Sequence, residues 1–292
     1  MPGQQRALVL GGGGSAGNAW EIGVIAGLFE AGLDVTGADL VIGTSAGSTA
    51  AAQITSATRP PELLANILAP APRPAGSGQR RVPGPAADHF ERTSEIIRAA
   101  EDAADMRRRM GAAALETGAG PDAQAQWRAA VASRLPSQKW PDQPLLIVVV
   151  DAHTGEPVVF DRHSGVALVD AVAASCANGF GVPPYGIGDR CYIDGGYRSV
   201  ENADLAAGYE RVLVLSPFGG RSRVPPAWGV HLAAQVDALR AGGGKVETIF
   251  PDSASRNAFG DNMMNLSARA PSARAGYDQG RALAEPLTDF WR

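Results

Sequence analysis

Short apolar runs alternate with amphipathic stretches along most of this chain. Ala7-Leu8-Val9-Leu10 has the pattern of a buried strand and stops at Gly11-Gly12-Gly13-Gly14. From about Asn18 to Ala31 the apolar positions recur at helical spacing. Trp20, Val24 and Leu28 form one stripe, Ile25 and Phe29 flank it, and Gly32 follows as a C-cap. Leu40-Val41-Ile42 predicts a second strand ending at Gly43. Ala46 to Ser56 then reads as a helix of small residues, closed by Arg59-Pro60-Pro61. Leu145 to Val150 is apolar without alternation, as in a strand covered on both faces, and His153-Thr154-Gly155-Glu156 turns it into a hairpin partner at Pro157 to Phe160. A helix from about Leu168 to Ala177 leads into the strand-like Tyr192-Ile193-Asp194. Strands at Arg211 to Leu215 and Val246 to Phe250 flank a helix at His231 to Arg240. A last helix runs from about Ser272 to Trp291, with a bend expected before Pro286. Strands and helices in alternation predict a layered α/β domain with a largely parallel sheet.

Residues 60 to 143 break that rhythm. Seven prolines fall between Pro60 and Pro85, and no strand pattern is present. Asp88-His89-Phe90-Glu91 has the form of a helix start, with a helix extending towards Leu115, and Trp127 to Leu135 predicts another. The expectation is one domain over 1–292 carrying a Pro-rich helical insertion or lid at about 60–143.

Composition narrows the classes. The chain of 292 residues holds 52 alanines and 24 arginines against only two lysines, Lys139 and Lys245, the bias of a GC-rich coding sequence. Alanine is therefore weak evidence for helix here, but about 79 larger apolar side chains remain, enough for a sizeable core. A net charge of −4 gives no electrostatic case for nucleic acid, and Arg107-Arg108-Arg109 reads as a solvated helix face. Two cysteines, Cys176 and Cys191, make neither a disulfide framework nor a zinc site. With no secretory h-region and no apolar run approaching 18 residues, a soluble cytoplasmic protein is expected.

Two glycine-rich turns carry the candidate chemistry. Gly43-Thr44-Ser45-Ala46-Gly47 is a G-x-S-x-G between a strand and a helix, the setting in which a sharp turn projects a nucleophilic hydroxyl. The flanking Gly43 and Gly47 remove side chains that would clash, and the N-terminus of the following helix favours developing negative charge. Gly12-Gly13-Gly14-Ser15-Ala16-Gly17 also matches the dinucleotide-binding G-x-G-x-x-G. A nucleotide-binding module needs an acid at the end of the next strand, where this chain has Gly43-Thr44-Ser45; Asp34 and Asp39 precede that strand instead. Glycine amides forming an oxyanion hole fit better. For a base, the order Ser45, Asp194, His231 formally matches a hydrolase triad. However, His231 falls within a helical pattern, and only 44 residues precede the serine. Asp194, ending a strand-like run before Gly195 and Gly196, is able to sit against a serine on a neighbouring strand.

Taken together, the loop from Leu8 to Gly17, the Glu21-Ile22-Gly23-Val24 helix, the turn at Ser45, Ala173-Ala174-Ser175-Cys176-Ala177 and Asp194-Gly195-Gly196 resemble the patatin-like phospholipase family. So do Asn262-Met263-Met264-Asn265 and the glycines Gly276 and Gly280. The resemblance implies a three-layer α/β/α fold and hydrolysis of lipid or other long-chain acyl esters without metal or organic cofactor. It implies a Ser45–Asp194 dyad that needs no histidine, with Gly12, Gly13 and Gly14 as the oxyanion hole. Thioester or lactone cleavage and acyl transfer would use the same residues. The implied partners are a lipid or acyl ester and, peripherally, a membrane or lipid aggregate. Two departures stand out. Ala16 occupies a position where the family often has Arg or Lys, which predicts that neutral esters are cleaved at least as well as anionic phospholipids. The family's proline near Asn178 is also missing. Acyl-chain choice is expected to reside in 60–143.

Overall fold

A computed structural model describes residues 5–69, 86–118 and 120–292, without the side chains of 86–89. In chain order its elements are β1 (Arg6–Leu10), α1 (Gly14–Glu30), β2 (Leu40–Thr44), α2 (Ala46–Ile54), α3 (Pro60–Leu68), α4 (Ala86–Ala99), α5 (Ala103–Leu115) and α6 (Pro121–Ala132). There follow β3 (Leu145–Asp151), β4 (Pro157–Phe160), α7 (Leu168–Ser175), β5 (Tyr185–Ile187), β6 (Arg190–Asp194) and β7 (Arg211–Leu215). The chain ends with α8 (Leu232–Ala241), β8 (Lys245–Ile249), α9 (Ser253–Phe259) and α10 (Arg269–Trp291).

The strands form one sheet in the order β5-β6-β3-β2-β1-β7-β8, with β4 also paired to β3. Pairings among β3, β2, β1, β7 and β8 are parallel, whereas β4, β5 and β6 add antiparallel edges. Alternate side chains of the same strands feed two different cores. Leu8, Leu10, Ile147 and Val149 pack with Trp20, Ala50 and Val172 from α1, α2 and α7. Ala7, Val9 and Val148 pack with Leu232 and Val236 of α8, and Val150 with Met106 and Met110 of α5. Period-two alternation between two apolar layers is why these strands show no polar face in the sequence. The result is a three-layer α/β/α fold.

The central helix α1 is buried on nearly every side, and α10 crosses it at backbone contact. A Cβ added at Gly23 or Gly27 would lie 2.2 Å from the carbonyl oxygens of Ala273 or Tyr277. One added at Gly276 or Gly280 would lie 2.4 or 2.2 Å from those of Trp20 or Val24. Each helix thus presents two glycines four residues apart to the other. Gly276→Leu is expected to destabilise the fold by about 3 kcal/mol or more, because backbone, rather than a movable side chain, occupies the space. Thermal or urea unfolding would measure this, and a midpoint equal to wild type would mean that the helices separate without cost.

Several boundaries differ from the sequence expectation. Helix α1 starts at Gly14, four residues early, because the glycine loop itself enters the helix. Its end does match: Gly32 has φ +91°, with Gly32 N–H on Phe29 O and Leu33 N–H on Leu28 O. Pro60 and Pro61 do not merely stop α2; they open α3, where proline lacks no needed donor. The stretch from Asp88 to Leu115 is two helices, since Asp102 Oδ1 accepts from Asp105 N–H at 2.7 Å and starts α5 afresh. The first of them begins at Ala86, two residues before Asp88. The helix expected at Trp127 to Leu135 is α6, starting at Pro121 and ending at Ala132. Helix α10 continues through Pro286 to Trp291. Strand β5 and helix α9 had no sequence counterpart. Within the expected insertion, α3 packs on α1 and α10, and α5 on β3 and β6, so both belong to the helical layers. The Pro-rich stretch 70–85 lies outside the described residues.

Candidate active site

Strands β1 and β2 are adjacent and parallel, with Leu10 opposite Gly43, so the glycine loop and the turn at Ser45 leave the sheet side by side. A Cβ on Gly12 would be 3.5 Å from Ser45 Cβ. Ser45 has φ 54° and ψ −120°, and among the described residues only Ser45 and Asn202 are non-glycines with positive φ. Such a conformation costs about 1–3 kcal/mol and persists only where neighbours enforce it. Here they do so from both sides. The Ser45 N–H donates to Ser175 Oγ at 2.9 Å, and that hydroxyl donates to Val148 O at 2.7 Å. The Ser45 carbonyl accepts from Ser48 Oγ at 2.6 Å and from Cys176 Sγ at 3.1 Å. Burial, followed by the nearby Asp194 charge, pushes the Cys176 thiol up to about 11, so it remains a neutral donor. Gly43 and Gly47 are required by close approach: their added Cβ atoms would fall 2.6 Å from Ser48 Cα and 2.1 Å from Leu10 O.

Asp194 ends β6. Strand β3 separates it from β2, with Val149 opposite Asp194 and Val148 opposite Thr44. The Asp194 carboxylate lies beside the Ser45 side chain, and Gly196 N–H donates to Asp194 Oδ1 at 2.8 Å. Burial raises this carboxyl to about 6, against the opposing pull of those two groups. Gly195 is dictated by β3, because a Cβ there would lie 2.2 Å from Val148 O, and Gly196 supplies its amide. The left-handed Asn202 links the two turns. Its buried amide donates to Thr44 Oγ1 at 2.9 Å and to Gly195 O at 3.3 Å, the residues next to Ser45 and Asp194.

Of the three glycine amides expected to face the serine, one is already committed. Gly12 N–H donates to Val200 O at 2.9 Å, since the 199–201 segment runs alongside the loop, just as Gly11 N–H is held by Leu215 O. Among the described residues, the N–H groups of Gly13 and Gly14 are donated to no other protein group. Beneath the loop, burial holds the Glu21 carboxyl well above the ordinary carboxylate range. Glu201, accepting from Ser216 Oγ at 2.6 Å, is raised by burial to about 7.

The histidines are placed otherwise. His231 is the residue before α8 rather than inside it, and its Nε2 lies 2.9 Å from Val224 O. His153 and His163 are exposed on turns, and the side chain of His89 lies outside the described residues. Where a dinucleotide fold needs an acid, β2 ends in buried Thr44. No group of three or more metal-ligating side chains occurs among the described residues.

The family model for patatin-like phospholipases matches residues 8–207, which include the glycine loop, Ser45, Asp194 and Asn202. The chain belongs to the patatin-like phospholipase family. Membership in that family makes lipid acyl hydrolysis the activity to account for. No curated protein sequence matches the chain. Among solved structures, this patatin-like chain is similar to VipD from Legionella pneumophila, at 15% identity and a TM-score of 0.45, covering 97% of this chain and 67% of that one. It is also similar to the type III effector protein ExoU, at 17% identity and a TM-score of 0.36, covering 96% of this chain and 54% of that one. Ser175, Cys176, Asn202 and Glu21 surround the two motifs of this patatin-like chain. Ser175, Cys176 and Glu21 lie within stretches that carried the resemblance, but neither spacing nor residue type revealed what they hold.

Proposed function

We propose that this protein is a serine acyl hydrolase acting on lipid or other long-chain acyl esters, with Ser45 as nucleophile and Asp194 as its base. The observation that carries this reading is the strained φ of Ser45 at a strand-to-helix turn, with its side chain beside the half-buried Asp194 carboxylate. Ser45 Oγ attacks the ester carbonyl carbon while Asp194 takes its proton. The tetrahedral oxyanion is held by the free amides of Gly13 and Gly14 and by the Ala46 N–H that starts α2. Collapse expels the alcohol, protonated by Asp194, and leaves Ser45 acylated. Water, deprotonated by the same carboxylate, then releases the acid. An ordinary carboxylate near 4 is a poor base for an alcohol, and raising Asp194 to about 6 narrows that gap. Thioesters and lactones present the same carbonyl and fall within the same chemistry.

Exposed Met264 and Leu266 follow the Met263 carbonyl that accepts from Ala16 N–H, so apolar surface flanks the glycine loop. This supports peripheral contact with lipid aggregates. No described helix is long and apolar enough to cross a membrane.

A fluorophosphonate tests the nucleophile. Mass spectrometry should locate a single adduct on Ser45, and labelling elsewhere would refute the assignment. The pH profile tests the base. Only ionised Asp194 accepts the proton, so kcat/KM should fall as pH drops below about 6 and level off above it. The same limb should persist in His231→Gln; its loss there would mean that the histidine titrates instead.

A further inference from the structure

Asn202 sits between the two candidate reactive turns in a conformation that its neighbours must enforce. It is fully buried, with φ 56° and ψ 38°. Asparagine tolerates the left-handed region better than most residues, yet such a position persists only where the surroundings fix it. Three acceptors crowd its Nδ2: Ser199 O at 2.7 Å, Thr44 Oγ1 at 2.9 Å and Gly195 O at 3.3 Å. Thr44 immediately precedes Ser45, and Gly195 immediately follows Asp194. One amide thus spans two turns that leave β2 and β6, with β3 lying between those strands.

Arg198 sets the direction of that amide. It follows the 195–197 turn, and its Nη1 donates to Asn202 Oδ1 at 2.6 Å. A guanidinium carries donors and no acceptor, so it faces the amide oxygen and leaves Nδ2 pointing the other way, toward Thr44 and Gly195. With the amide reversed, Nδ2 would meet the cation and Oδ1 would meet the carbonyl oxygens of Ser199 and Gly195. Arg198 is held in turn by Asp204. Its Nη1 also donates to Asp204 Oδ1 at 2.9 Å, and its Nη2 pairs with Asp204 Oδ2. A partly exposed ion pair adds little to stability by itself. This one spends its fork on a buried neutral amide, through a charge-assisted bond that is stronger and more directional than a neutral one.

We propose that Arg198 and Asp204 are positioning residues for the Ser45–Asp194 pair, acting through the side-chain amide of Asn202. The relay runs from Asp204 to Arg198 to Asn202 and divides there, to Thr44 on one side and Gly195 on the other. Each link is a hydrogen bond between protein groups. Its effect on rate rests on the hydrolase reading, whereas the relay itself stands on those bonds. Nucleophile and base act only when closely aligned, and a misplacement of about 1 Å is enough to cost about 10²-fold in rate.

Arg198→Met keeps the apolar stem and removes every donor. It should lower kcat on a short-chain ester by about tenfold to a hundredfold with KM unchanged, and slow fluorophosphonate labelling of Ser45 by a similar factor. Arg198→Lys should recover part of the loss, and Asp204→Asn, which keeps one acceptor, should lose less than Arg198→Met. Arg190→Gln is the control. It breaks the ion pair with Asp151 on the same strand β6, at the end away from Asp194, and should lower thermal stability at least as much while kcat stays as in wild type. An equal fall of kcat in that control would make the effect general loosening and overturn the positioning role. Unchanged kcat and labelling in both Arg198 variants would overturn it too, with the hydrolase intact. A loss confined to KM would place Arg198 against the substrate instead, and would also overturn it. A wild type that neither cleaves esters nor labels at Ser45 would overturn the hydrolase reading. The relay is then judged by hydrogen exchange of the Asn202 side-chain amide, which should be slow in wild type and faster in Arg198→Met, with equal rates refuting it.

Discussion

Ser45→Ala will lower acyl-ester hydrolysis by about 10⁴-fold or more while the protein stays folded. Loss of the attacking oxygen of a nucleophile–base unit has effects of that order in serine hydrolases, because nothing else in the site forms the covalent intermediate. Stability should change by only about 1 kcal/mol. Alanine at φ 54° carries the same backbone strain as serine, so the substitution removes one polar neighbour of Asp194 and adds no clash. The clamps from Ser175, Cys176 and Ser48 all act on backbone atoms of residue 45 and survive the change. Steady-state rates on an ester panel, with thermal unfolding as the control, measure both parts. Turnover near wild type would remove Ser45 from the nucleophile's role.

Asp194→Asn should cost about 10³-fold or more in kcat, nearly as much as losing the serine. The amide keeps the shape and still accepts from Gly196 N–H, but it cannot take a proton from Ser45. Since the two residues act as one unit, the double variant should be no slower than Ser45→Ala alone. The informative contrast is His231→Gln. In a Ser-His-Asp triad the imidazole carries the proton and its loss is as damaging as loss of the serine. Here the imidazole Nε2 is occupied by Val224 O just before α8, so the variant should retain activity, with losses of a size explained by packing. If His231→Gln folds normally yet is as inactive as Ser45→Ala, the triad replaces the dyad.

Local patterns carried most of the fold. The apolar runs of β1, β2, β3 and β7 are legible because both faces of each strand are buried, so no polar residue interrupts them. Misreadings cluster where the chain departs from simple periodicity. Pro60 fits a terminator of the preceding helix by pattern alone, yet it opens α3, because proline begins a helix as readily as it ends one. Strand β5 is three residues long and follows Gly181-Val182-Pro183-Pro184, so it forms only because β6 pairs with it. The glycines of α1 and α10 lower helix propensity locally, yet they are what allows the two helices to touch.

At the site, residue type and local pattern were enough to single out the two groups proposed to react and the glycines around them. A turn that must pass 2.1 Å from a neighbouring carbonyl tolerates only glycine at Gly47, and that steric demand is written in residue type. Tertiary structure alone decided which groups meet and which amides remain free. Asp194 is 149 positions from Ser45 and a strand away in the sheet, and only the β6–β3–β2 register brings its carboxyl to that hydroxyl. Gly12 and Gly13 are indistinguishable in the sequence, but the 199–201 segment takes the amide of the first and leaves that of the second. Arg269 reaches Ser15, 254 positions away, because α10 returns along α1. Hydrogen-bond partners and charge neighbours are properties of packing between distant segments, and spacing along a chain does not encode them.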